Sequence, residues 1–87
     1  MVTPPTPTDV REWFSALASG TMAPQEAAAL ARPWVAERER DVADRRLMRW
    51  LARLGGADLE SAPGALLYGP LDFHEWLVEY EEAMGQE

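Results

Sequence analysis

Three apolar stripes at helical spacing set what this chain can fold into. Val10, Trp13, Phe14 and Leu17 fall at i, i+3, i+4 and i+7. Leu47, Trp50, Leu51 and Leu54 repeat the pattern, and Phe73, Trp76, Leu77, Tyr80 and Met84 carry it over about three turns. Residues so spaced share one face of an α-helix, and each stripe is closed by a glycine: Gly20, the pair Gly55-Gly56, and Gly85. No segment alternates apolar and polar side chains in the manner of a strand. The expected class is therefore all-α, a small four-helix bundle in one domain, since 87 residues leave no room for two.

The punctuation sets expected boundaries. Thr8 can cap a first helix over 9–18, with Asp9 and Glu12 at its positive end. Ahead of it, residues 1–8 hold Pro4, Pro5 and Pro7 and read as a flexible arm, leaving 9–87 as the helical domain. Pro24 opens a second helix over about 24–38, and Pro33 should kink or break it, because its ring crowds the carbonyl of Ala29. Asp41 or Asp44 can cap the third helix. Residues 55–69 lack a helical period and form a long loop, of a length that tends to be functional or to hide a short element. The last helix is expected at 70–84. The four tryptophans fall one to each helical segment. Trp13, Trp50 and Trp76 read as core, whereas Trp34, between Arg32 and Arg38, is either core or an exposed anchor.

Charge is sorted along the chain. Between Ala31 and Leu54 stand seven arginines against four acids. After Leu54 there are eight side-chain carboxylates and no Lys or Arg. Asp72, Glu75, Glu79 and Glu82 share one face of the last helix, which either lies open or pairs with Arg45, Arg46 or Arg49. A net charge of −7 argues against phosphate backbones and anionic lipid, so nucleic acid and membrane are excluded as partners at this stage. The absence of a secretory signal, a spanning segment and cysteine makes the cytoplasm the default location.

Nothing in the chain reads as an active site. His74-Glu75 is followed by Val78 where a zinc-binding HExxH motif needs histidine. The serines lack a nucleophile context, and without lysine there is no Walker motif. The expectation is a non-enzyme without cofactor or metal.

The order of features, with Ala18-Ser19-Gly20, Pro24-Gln25-Glu26-Ala27-Ala28, Leu51-Ala52-Arg53-Leu54-Gly55-Gly56-Ala57-Asp58-Leu59 and Tyr68-Gly69-Pro70-Leu71-Asp72-Phe73, resembles small helical bacterial immunity proteins of the colicin D immunity type. That resemblance implies an acidic bundle neutralising a basic nuclease toxin. From the charge pattern alone, the partner-binding residues would be Asp58, Glu60, Tyr68, Asp72, Glu75, Glu79 and Glu82. The rival expectation is a regulatory or adaptor module that holds a partner helix in an apolar groove around Trp34 and Leu66-Leu67. A homodimer joining the arginine-rich third helix to its twin's acidic fourth is a third arrangement the pattern permits.

Overall fold

The computed structural model describes residues 4–42 and 44–85, the side chain of Glu39 excepted. Among these, the chain forms helices α1 (Pro7–Ser19), α2 (Pro24–Ala36), α3 (Arg46–Gly55) and α4 (Pro70–Met84). A 3-10 turn, Glu39–Asp41, precedes α3, and two short strands, β1 (Glu60–Ala62) and β2 (Ala65–Leu66), pair between α3 and α4. The fold is thus mostly helical with a small antiparallel hairpin.

α1 begins two residues earlier than expected. Thr6, not Thr8, is the N-cap: its hydroxyl accepts from Asp9 N at 3.2 Å, while Asp9 Oδ2 accepts from Thr6 N at 2.9 Å. Pro7 fits the first position, where its missing N–H leaves no gap. The boundary expected at residue 8 therefore falls inside α1, and Pro5 is buried; residues 1–3 of the expected arm lie outside the described residues. Gly20 ends α1 at φ 80°, donating to the carbonyls of Ala16 and Leu17.

α2 is not broken at Pro33. It runs through the proline to Ala36, and the amides of Glu37 and Arg38 both close on the Pro33 carbonyl at 3.0 and 2.9 Å. Burial explains the continuity. Ala27, Ala28, Ala31 and Trp34 lie on the inner face of α2, so ending the helix early would expose apolar area on both sides of the proline. Trp34 is 5% exposed and belongs to the core rather than serving as an exposed anchor. Trp50 and Trp76 are core as expected, and Trp13 is half-buried at the edge of the core.

The expected long loop holds the hairpin. Ala62 pairs with Ala65 and Glu60 with Leu66, with an irregularity at Ser61. Pro63-Gly64 makes the turn, Gly64 taking φ 80°, as a proline-then-glycine turn requires. Glu60 Oε2 accepts from Gly64 N at 2.6 Å and Leu67 N donates to Leu59 O at 2.8 Å. Both strands are solvent-exposed, so this hairpin adds shape rather than core.

The helices associate chiefly as two pairs, α1 with α4 and α2 with α3. Aromatic rings join the pairs. Phe14 sits edge-on to Trp50 at 6.0 Å and to Trp76 at 6.4 Å, and Trp50 sits edge-on to Tyr80 at 5.4 Å. Such pairs add about 0.5–1.5 kcal/mol each beyond the area they bury. Tyr80 also ties the ends of the chain together, its hydroxyl donating to Pro7 O at 2.7 Å. Among the described residues no helix is long and apolar enough to cross a membrane.

Candidate nucleic-acid interface

α3 has a sharply divided surface. Leu47, Trp50, Leu51 and Leu54 are buried, and the helix contains no acid. Arg45, just ahead of it, has helical dihedrals, so Arg45, Arg49 and Arg53 form one row at i, i+4 and i+8, with Arg46 beside them. Every guanidinium must leave the core because burying an unpaired charge costs too much. The hydrophobic spacing that builds the core therefore also builds a cationic outer face.

What distinguishes the arginines is what each one meets. Arg46 grips Asp44 twice, Nε to Oδ1 at 3.1 Å and Nη2 to Oδ2 at 2.8 Å, while its own amide donates to the same Oδ1 at 2.9 Å. These bonds hold the Asp44 carboxyl below the usual carboxylate range. Arg53 pairs with Glu79 and lies over Trp50 and Trp76, 5.2 and 5.7 Å from the ring centres. Arg32 binds Asp58 and the carbonyl of Gly55; Arg11 reaches Glu81 at 3.2 Å. Arg38 Nε stands 3.8 Å from Asp41 and its guanidinium covers Trp34. Arg40, Arg45 and Arg49 are exposed, and among the described residues none has a carboxylate partner. Arg49 lies over the Trp50 ring at 5.3 Å, which limits the conformers its side chain can take.

The acids expected to meet a partner are mostly occupied within the fold. Asp58 and Glu79 are ion-paired as above. Asp72 caps α4, accepting from Gly69 N at 2.8 Å, and Glu60 fixes the hairpin turn. Glu75 and Glu82 remain exposed on α4. Tyr68 is half-buried, its ring edge-on to Trp76 at 4.7 Å. On the acidic face of α4, Glu79 pairs with Arg53 of α3. Sequence reading located this arginine-rich helix but assigned its cations to carboxylates, within the chain or in a twin.

A family model, described as YxzC DNA-binding protein, matches residues 6–80. The chain belongs to the YxzC DNA-binding protein family. No curated protein and no solved structure matches it. Membership corrects three expectations. The resemblance to colicin D-type immunity proteins rested on the order of helices and glycine stops, which any small helical chain can share, and the YxzC match points elsewhere. Neutralisation of a basic toxin falls with it. The exclusion of nucleic acid, which rested on the net charge, is also overturned, because the family is described as DNA-binding. In this YxzC member the arginines are concentrated in and around α3, a helix that itself contains no acid.

Proposed function

We propose that the chain is a small regulatory module that meets DNA with the outer face of α3, its four helices acting as one bundle that holds this face rigid. The observation that carries the reading is the pair Arg45 and Arg49, exposed, one turn apart and without carboxylate partners, on a helix that contains no acid. Phosphate contacts of this kind supply most of a DNA-binding protein's sequence-independent affinity. An α-helix with its side chains is about 10–12 Å across, which matches a major groove about 12 Å wide. Arg40, exposed in the turn ahead of α3, is a third guanidinium that could meet a phosphate.

The acidic remainder then has a physical use. A polyanion is repelled by Glu75, Glu82 and the other carboxylates beyond Leu54 and attracted only along α3, so approach is oriented as well as weakened. In this reading the protein performs no chemistry, takes no cofactor and works in the cytoplasm.

The test is a fluorescence-anisotropy titration of a labelled DNA duplex at low salt. Wild type should bind, Arg45→Ala/Arg49→Ala should bind far more weakly, and Glu75→Gln/Glu82→Gln should bind more tightly. If wild type fails to bind, or the double arginine variant binds as well as wild type, the reading is wrong.

A further inference from the structure

Beside the arginine row, between the second half of α3 and the start of α4, lies an open groove of about 550 Å³. One wall is Arg49, Ala52 and Arg53; the other is Leu59, Tyr68 and Trp76. Its two cations differ. Arg53 is neutralised by Glu79 and held over Trp50 and Trp76, so it serves as wall, whereas Arg49 brings an uncompensated charge to the rim. Facing them, Tyr68 is half-buried with its hydroxyl unpartnered among the described residues, and Leu59 is 50% exposed.

We infer that this groove takes an unpaired nucleobase of single-stranded DNA, stacked against Tyr68 and Leu59, with the adjoining phosphate on Arg49. The inference deepens the assignment of DNA to α3 and rests on it. In a duplex the faces of a base are covered by its neighbours and only its edges are offered. A concave wall with an aromatic ring and aliphatic carbon has little to give an edge but much to give a face. An anion-seeking group beside that wall is the combination that single strands require: a ring for the base and a cation for the backbone. The neighbouring groove on the far side of Arg49 and Arg53 is lined by Glu79 and Glu82 and would repel the same strand, so the path has one favourable side.

The experiment compares a labelled single strand with its own duplex, at equal salt, against wild type, Tyr68→Ala, Tyr68→Phe and Ala52→Leu. Ala52 is exposed, so its enlargement fills the groove without disturbing the core. Wild type should prefer the single strand. Tyr68→Ala and Ala52→Leu should each lose roughly tenfold in single-strand affinity while duplex affinity holds, and Tyr68→Phe should keep both. Duplex binding with a single-strand affinity indifferent to both Tyr68→Ala and Ala52→Leu would overturn the groove and leave the α3 reading standing. Failure to bind either form would overturn both. Should Tyr68→Ala unfold, Ala52→Leu carries the same decision.

Discussion

The salt dependence of DNA binding offers the sharpest check, because its size follows from a count of free guanidinium groups. Arg40, Arg45 and Arg49 have no carboxylate partner among the described residues. With each on a phosphate, log K should fall with log salt at a slope of about −2.7. Between about 50 and about 200 mM NaCl, duplex affinity should then drop about 40-fold. Arg45→Ala/Arg49→Ala leaves one such contact and a slope of about −0.9, so the same change of salt should weaken the variant only about 3.5-fold. Anisotropy titrations at four or five salt concentrations give both slopes. The slope is a better readout than affinity at one salt. A variant that is partly unfolded loses apparent affinity by a factor that is nearly the same at every salt, which shifts the line without tilting it. Equal slopes for wild type and variant would refute the reasoning, since the counterions released would then come from elsewhere on the protein.

Three further outcomes concern the scaffold. Phe14 is fully buried among Trp50, Trp76 and Tyr80, so Phe14→Ala should cost about 3–5 kcal/mol and leave so small a domain largely unfolded in a chemical-denaturation series. Tyr80→Phe removes the bond to Pro7 O and should cost about 1 kcal/mol. Burial, reinforced by the nearby Asp44 carboxylate, raises the Tyr80 phenol from 10.0 to about 12, so the native state keeps a proton that the unfolded chain sheds. Stability should therefore be complete below about pH 10 and decline as pH rises towards about 12, a decline that Tyr80→Phe flattens in melts at successive pH values. Gly20→Ala forces a side chain into φ 80° and should lower stability by about 1 kcal/mol, measured by thermal melting.

Legibility in the sequence tracked the range of the interactions involved. α4 appears at its expected bounds because its signals are local: Pro70 at the first position, a stripe of large side chains and Gly85 at the stop. α1 was offset because two threonines flank Pro7, and the choice between them depends on which one leaves Asp9 three residues on. Pro33 misled because the local clash is real but smaller than the packing of Ala31 and Trp34 that opposes it. The hairpin was hidden because two- and three-residue strands have no measurable period; only Pro63-Gly64 marked it. The candidate site was the least legible. Which arginines stay free depends on contacts such as Arg32 with Asp58 and Arg53 with Glu79, each spanning 26 positions. A charge total cannot report that division.

The pairing of α1 with α4 has a consequence for how the protein is made. Of these four helices the first to be made finds its principal neighbour in the fourth, while α2 and α3 lie close enough in sequence to meet during synthesis. Phe14 must wait for Trp76 and Tyr80, which follow it in the sequence only after α2, α3 and the hairpin. A nascent chain stalled before residue 70 would hold a finished hairpin of two helices and an unclaimed apolar strip, the state in which a chaperone has most to protect.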